Sequence, residues 1–583
     1  MTNNTAITSF DRLATETILE IFEYLSSSDL LYAFYNSNHR LNSILLTYEY
    51  FLHSVNFSTG NFDVWQHIFS KIGPGIRQLT ITTRHFRFPL DMFPNLESLI
   101  ICSPFEIKFD EFSLILDSSQ IQKLKSFQFQ SEICDNRPYF NYINEFFTHI
   151  FHAQSSLHTF EWLSTLDSSY LQLMINTLEI NRNIHSLSLK LCGFRGLDCL
   201  LRCTPNLKDL NLTGSSFISP QNSLSARQMP VIRLDKFSFT ASIDGSVNWS
   251  YKKYISPLID LVKQFSSSLT VLSIDLSHKY ILEDRMFIIN RLAADFLPLT
   301  IQLKIFRFYV RLEQSPQSSV EFLTTFIDAN WPFGMHGSYL YTLPFPFNQL
   351  DDFIDFDHIQ STNSTIVNSR RTWSHVQSLN LADNCNLSEN LLEQIRVQMP
   401  NLKSINLKRK QIDYLSKLNE VRTALNGIIT VHGERDLLKS SQNYFNHLFP
   451  NVKQFVLSYS PLTIIHLSHK LAFAQRCSTS LTNDQLGRNK ISFPRIQHVE
   501  AKLQLEDIRY LSKHVLPVLI EISEMFANIK SFQLTFYCIQ KNPTNIPFTE
   551  LHQLIRSLNM NQICKDFSIE HISNQLQFVK KEQ

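Results

Sequence analysis

Apolar residues recur along this chain with two different periods, and the change of period divides it. Between Phe10 and Leu46 the spacing is helical. Ile18, Leu19, Ile21, Phe22 and Leu25 fall on one stripe of a helix, because positions three and four apart share a face. Thr15, with Glu16 close behind, is the expected N-cap, since its hydroxyl can accept from the orphan amides of the first turn. Ser26-Ser27-Ser28 interrupts the stripe. Asp29 is the expected cap of a second short helix carrying Leu30, Leu31 and Phe34. A third is expected from about His39 through Leu41, Ile44 and Leu45.

After a short hinge near Asn56 to Gly60 the period falls to two. A loop, often ending Pro-Asn-Leu, is followed repeatedly by an alternating apolar segment. The clearest copies begin at Phe93 (FPNLESLIIC), Thr204 (TPNLKDLNLT), Met399 (MPNLKSINLK) and Phe449 (FPNVKQFVLS). Looser copies begin at Ile76, Leu124, Ser156, Ile184, Leu234, Ser268, His375, Ile496 and Asn528, with KDFSIEHI from Lys565 as a last one. One apolar position per copy gives Leu79, Leu99, Phe127, Phe160, Leu187, Leu210, Phe237 and Leu272, at gaps of 20, 28, 33, 27, 23, 27 and 35 residues. An irregularly stretched period of this size marks stacked supersecondary units. Alternation turns the apolar side chains to one face of a strand. The stretches between copies, such as Asn144 to Phe151 and Leu258 to Phe265, carry helical spacing. A strand and a helix cannot bury their faces alone, whereas side-by-side stacking makes a parallel sheet with helices on its other side. The proline suits a loop that ends a helix, because it cannot donate and it disfavours helix at the residue before it. A generic α/β body with several parallel strands is the competing architecture.

The front stretch resembles an F-box. Leu13, Glu16, Ile18, Leu19, Ile21, Phe22, Tyr24, Leu25, Asp29 and Leu30 stand at the places of that motif, over about 40 of the 583 residues. Ala14 stands where the family has proline, and the tryptophan often found near the motif's end is absent. The other reading of these residues is an ordinary amphipathic hairpin that caps a larger domain. The repeats resemble an irregular leucine-rich-repeat family. Leu210-Asn211-Leu212, and Leu379-Asn380-Leu381 with Asn384, echo its Leu-x-x-Leu-x-Leu-x-x-Asn, while phenylalanine replaces many of its leucines. The whole chain is most similar to the F-box proteins that rotifers hold in large numbers.

The fold class these likenesses imply is α/β. A three-helix F-box module (1–55) would precede an irregular leucine-rich-repeat-like solenoid (56–583) with parallel strands on one side and helices on the other. The function they imply is that of a substrate-recognition subunit of an SCF-type ubiquitin ligase. The front helices would dock on the ligase adaptor, and through it on the cullin, by Leu13, Ile18, Ile21, Phe22, Leu25 and Leu30. The repeats would hold a target protein, and the chemistry would occur on other subunits in the cytoplasm or nucleus. A leucine-rich-repeat interaction scaffold with no ligase link is the alternative.

Two segments break the rhythm. An insertion near 310–372 contains an aromatic, proline-rich run from Ala329 to Ile359 with Asp351, Asp352, Asp355 and Asp357. It is either a partner-binding element, since aromatic anchors with a charged rim are common at interfaces, or a long loop packed back on the body. Gly214 to Pro230 is rich in Ser, Asn and Gln and is expected to be a loop.

Composition narrows the chemistry. Hydrophobic residues make up 43% of the chain, and 53 basic residues balance 52 acidic ones to a net +1. That leaves no bulk electrostatic case for nucleic acid or an anionic membrane. Twelve scattered glycines, with no GxxxxGK and no GxGxxG, leave no phosphate-cradling loop. No apolar run is long enough to span a bilayer, and MTNNTAITSF lacks the features of a signal peptide. Nine cysteines without a CxxC pair fit a reducing compartment. Cys192, Cys199 and Cys203 cluster without a histidine pair, so buried thiols are the simpler reading than a metal site. His149 and His152 share a possible helical face without a third ligand, and no GxSxG or HExxH occurs. The Asp351–Asp357 cluster is the one place where paired carboxylates could be sought for acid–base work. No catalytic residue, metal or cofactor is expected.

Overall fold

The structure is a computed structural model. It describes residues 10, 13–35, 37–57, 62–81, 89–103, 114–115, 118–131, 140–166, 178–191, 197–214, 232–241, 255–281, 285–312, 323–367, 370–407, 411, 424–434, 448–459, 497–505, 531–538, 567–572 and 575–580. The expected loop at 214–230 lies outside these residues beyond Gly214. The chain divides into two compact units, Met1–Phe306 and Arg307–Gln583.

The first unit opens with helices α1 (Thr15–Glu23), α2 (Ser27–Phe34) and α3 (His39–Thr47). Nine strands follow: β1 (Ser54–Phe57), β2 (Gln78–Ile81), β3 (Ser98–Ser103), β4 (Ser126–Ser131), β5 (Thr159–Leu166), β6 (Ser186–Leu191), β7 (Asp209–Gly214), β8 (Lys236–Ala241) and β9 (Val271–Ile281). They lie in chain order, every neighbouring pair parallel. Between them run α4 (Phe62–Ile72), α5 (Phe140–Ile150), α6 (Leu197–Cys203) and α7 (Ser256–Phe265), and after β9 comes α8 (Arg285–Thr300). Strands added in sequence order are the mark of stacked repeats; the generic alternative would shuffle them.

The residues chosen from the sequence as one per copy are in register. Leu79 pairs with Leu99, Leu99 with Phe127, Phe127 with Phe160, and so on through Leu187, Leu210 and Phe237 to Leu272. All eight are buried. A second inward column runs two residues on, from Phe57 and Ile81 through Phe129 and Trp162 to Ile274. Helices cover the face these columns point to: Phe146 and Phe147 of α5 contact Phe160 and Trp162, and Phe265 of α7 contacts Phe237.

The backbone repeats with the same regularity. The carbonyl just before each strand accepts two amides from the next repeat: His53 O from Arg77 and Gln78, Arg77 O from Glu97 and Ser98, and likewise up to Asp235 O from Thr270 and Val271. The Pro-Asn-Leu motif is explained by the same stacking. In each clear copy the amide of the leucine or valine closes a turn on the residue before the proline. The asparagine side chain donates to a loop carbonyl of the preceding repeat: Asn95 to Pro74 (2.7 Å), Asn206 to Arg182 (2.8 Å), Asn401 to Ser374 (2.8 Å) and Asn451 to Asn426 (2.9 Å).

Four expectations are corrected. Asn56 and Phe57, assigned to a hinge, belong to β1, because Ser54–Phe57 pairs with β2 and buries Val55 and Phe57. Thr15 does not cap α1. Ala14 is the cap residue, without a side-chain bond, and the Thr15 hydroxyl instead receives Arg40. Asp29 does not cap α2. Ser26 does, accepting from the Asp29 amide at 3.1 Å while its hydroxyl donates to the Asp29 carboxylate. Nor is the segment from Lys565 the next parallel rung, as shown below.

In the second unit β10 (Ile305–Leu312, entering from the first) pairs antiparallel with β12 (Tyr339–Thr342), β12 with β11 (Phe333–His336), and β11 with β14 (Gln360–Ser361). A further sheet starts at β13 (Gln349–Phe353) and continues in parallel through β15 (Ser378–Leu381), β16 (Ser404–Asn406), β17 (Thr430–Glu434), β18 (Gln454–Tyr459), β19 (His498–Leu505) and β20 (Ser531–Cys538). Its inward column is Leu350, Leu379, Ile405, Val431, Phe455 and Val499. Helix α9 (Glu389–Gln398) lies between β15 and β16. After β20, β22 (Gln575–Lys580) pairs antiparallel with β20, and among the described residues β21 (Phe567–Ile572) pairs on β22 alone. A two-residue connection allows a hairpin and forbids a parallel crossover.

The aromatic run at 329–359 supplies β11, β12 and β13. Phe333, Tyr339, Tyr341, Phe345, Phe353 and Phe356 are buried. The register slips between Leu350 and Phe353, and Asp352 takes φ 50 there, a left-handed value that aspartate tolerates better than most residues. Inside lies a polar network. His336 Nε2 donates to the Asp351 carbonyl (2.7 Å), which leaves Nδ1 as acceptor for the buried Tyr341 hydroxyl (3.2 Å). The Asp351 amide donates to Tyr309 Oη (3.1 Å).

Two outcomes follow from these contacts. Leu210→Ala should cost about 2–5 kcal/mol by opening a cavity, and Asn206→Ala about 1 kcal/mol by removing one brace. Urea titration of both variants checks this, and an Asn206→Ala variant matching Leu210→Ala would overturn the division between column and brace. Burial pushes the His336 imidazole below its ordinary value, against the opposing pull of Asp351 and Asp352. The fold therefore requires the neutral ring. Its contribution is full above about pH 6.5 and is lost as the pH falls below that toward the depressed value. His336→Gln, which cannot titrate, should flatten stability against pH over that window; an unchanged profile would refute the assignment.

Candidate functional site

The three front helices form a module with its own core. Ile18 and Phe22 of α1, Leu30 of α2, Leu41, Ile44 and Leu45 of α3, and Phe51 make one buried cluster, with Phe10, Leu13, Leu19 and Phe34 packed against it. Phe22 stands 5.2 Å from Phe34 and 5.7 Å, edge-on, from Phe51. Polar contacts fix the helix starts. Arg40 of α3 donates to the Leu13 carbonyl (2.7 Å) and the Thr15 hydroxyl (3.1 Å), tying α3 to the entry of α1. The Asn38 side chain accepts from the Leu41 amide (2.8 Å) and caps α3.

This packing sorts the six residues singled out from the sequence. Ile18, Phe22 and Leu30 are 0% exposed, so their side chains hold the module together. Leu13 and Ile21 are half-buried, and Leu25 is 38% exposed. The module also exposes apolar residues that periodicity alone did not mark: Tyr24 at 89% and Tyr50 at 51%, with Leu46 and Tyr48 also exposed. The Tyr50 phenol is pushed above its ordinary value, first by desolvation and then by the Glu23 carboxylate and Tyr48. Glu16, Glu20 and Glu23 are exposed along α1, at helical spacings of four and three. An outer face of that sign repels a phosphate backbone.

Ala14 occupies the place where a proline would stiffen the entry to α1. It has φ −58 and ψ 149. The φ is within the range a proline ring imposes, so alanine keeps the conformation without the restraint.

The other candidate groups do not assemble. His149 Nδ1 bonds the Glu145 carbonyl at 2.8 Å, while His152 lies beyond the end of α5, beside Glu179 at 3.7 Å. Asp351 is held by Gln349 and Asn380, Asp352 lies 3.4 Å from Arg311, and Asp355 pairs with His358 at 2.6 Å, so each of these three carboxylates has a partner of its own. Cys192 lies outside the described residues. Burial pushes the Cys203 thiol up; burial, with Asp355 nearby, pushes the Cys385 thiol up to about 12. Among the described residues no three His, Cys, Asp or Glu side chains are placed to hold a metal, and no helix is long and apolar enough to cross a membrane.

No family model and no curated protein matches the chain. Among solved structures it is similar to one of the Rad7 and Elc1 complex in yeast, with 14% identity and a TM-score of 0.30 over 68% of this chain and 84% of that one. It is also similar to the leucine-rich repeat-containing protein LegL7 from Legionella pneumophila, with 14% identity and a TM-score of 0.22 over 68% of this chain and 98% of that one. Likenesses of this size assign neither partner nor activity.

Ala14→Pro should stabilise the module by about 0.4–1 kcal/mol, because the substitution restricts the unfolded chain. Phe22→Ala should cost about 3–5 kcal/mol, as a core truncation does. Thermal melting with hydrogen exchange over residues 15–47 reads both; a destabilising Ala14→Pro or a harmless Phe22→Ala would contradict the placement.

Proposed function

We propose that this protein is a substrate receptor of an SCF-type ubiquitin ligase. The front module docks on the adaptor, which links it to the cullin, and the repeats hold a target protein. The chain carries out no chemistry itself; it brings a target close to ubiquitin transfer on other subunits, in the cytoplasm or nucleus. The observation that carries the reading is a small helical module with an apolar core drawn from its own residues and with Tyr24, Leu25, Leu46, Tyr48 and Tyr50 exposed. Together with the motif at Leu13–Leu30, that is the form expected of a recruitment module. Leu25 and the half-buried Leu13 and Ile21 make the adaptor contacts. Ile18, Phe22 and Leu30 support them from within.

The second reading, a repeat scaffold with no ligase link, has its own support. Ser28 of α2 bonds both polar groups of Asn56 on β1, as a cap on the sheet would. Truncation before residue 56 is a poor discriminator, because it removes half of β1. Point substitution separates the readings. Leu25→Asp should leave the module folded and reduce capture of purified adaptor at least about tenfold, the effect of losing a buried apolar anchor. Wild-type capture by Leu25→Asp, or no capture by the wild type, would favour the scaffold.

A further inference from the structure

The open edge of the first sheet is closed by a serine hydroxyl. The His53 carbonyl points toward β2, since it accepts from Arg77 and Gln78. Strand groups alternate in direction, so the N–H and C=O of Asn56 point the other way, to the edge that has no further strand among the described residues. Ser28, in the first turn of α2, meets both. Its Oγ donates to the Asn56 carbonyl at 2.5 Å and accepts from the Asn56 amide at 2.9 Å. One hydroxyl, being donor and acceptor at once, does here what a further strand would do.

We infer that Ser28 is a positioning residue, a two-point latch that fixes the direction of the helical module relative to the face of the first sheet. The module's apolar cluster spans residues 18–51 and takes no residue from the strands, while buried Leu31 of α2 stands outside it. Apolar contact is non-directional; the two bonds of the latch supply the direction. Whatever the module binds is thereby held at a set place relative to the side chains that line the sheet, such as exposed Asn211 on β7. The inference concerns how the module is attached and stands apart from what it binds. Ser28 is half-buried on the first turn, and Ser26, two residues earlier, supplies the cap, so the Ser28 hydroxyl is free for this second duty.

Ser28→Ala and Ser28→Thr in the full chain test it. Spin labels encoded at positions 24 and 211 report the module-to-sheet distance, and hydrogen exchange reports Asn56 and helices α1 and α3. Ser28→Ala should speed exchange at Asn56 by about tenfold, the effect of one lost hydrogen bond, and broaden the distance distribution, while α1 and α3 keep wild-type protection. Ser28→Thr, which retains the hydroxyl, should keep the wild-type distribution. A wild-type width in Ser28→Ala, or equal broadening in both variants, would overturn the latch. Loss of protection in α1 and α3 would overturn it too, by showing that Ser28 serves the module's own folding. Adaptor capture is a separate readout and should not change in Ser28→Ala.

Discussion

The rung between neighbouring repeats is the interaction on which the rest depends. One carbonyl before each strand receives two amides from the next repeat, and directly after it an apolar side chain enters the column from Leu79 to Leu272. The hydrogen bonds fix the register; the column supplies most of the stabilisation, because apolar burial is large and a net hydrogen bond is small. Sequence distance between rungs matters little, since lengthening a loop costs free energy only logarithmically. That is why gaps from 20 to 35 residues coexist with a regular sheet. Aromatic rungs fit the same column by stacking, as Phe127 on Phe160 at 6.0 Å and Phe129 on Trp162 at 4.3 Å.

A stack of this kind must deal with its ends, where backbone groups and apolar faces lose their neighbours. The two sheets, each taken by itself, end in different chemistry. At β1 a helix approaches and one hydroxyl takes both groups of Asn56. At β20 the β21–β22 hairpin turns the pairing antiparallel. In the second unit the antiparallel strands β10, β12, β11 and β14 surround a buried His336–Tyr341 network next to the start of the parallel sheet. Polar groups in these places are satisfied by defined partners, which specifies the local fold more sharply than apolar packing does.

The division of labour in the proposed function follows from this construction. Repeats contact only their neighbours, so a small module can be added at one end without disturbing the stack. The exposed positions between inward columns are free to vary, so a target can be selected without changing the fold. The front module keeps its apolar core inside and places tyrosines and Leu25 outside. A buried cluster and exposed apolar side chains thus come from the same short module.

Alternation and spacing alone determined the stacked parallel strands, because a buried column needs an apolar residue at one place in every repeat whatever lies between. They also determined three amphipathic helices at the front. The sequence did not reveal the β13 rung, whose alternation is broken by the slip at Asp351–Asp352, nor the β17 rung, a short strand interrupted by Gly433. It showed Pro-Asn-Leu as a motif and left the asparagine's partner hidden, since the acceptor carbonyl lies 21 to 27 residues earlier. Nor could a helical stripe divide Ile18, Phe22 and Leu30, which are inside, from Leu25, which is out. All sit on apolar positions, and only the packing of α2 and α3 against α1 decides which of them water or a partner can reach.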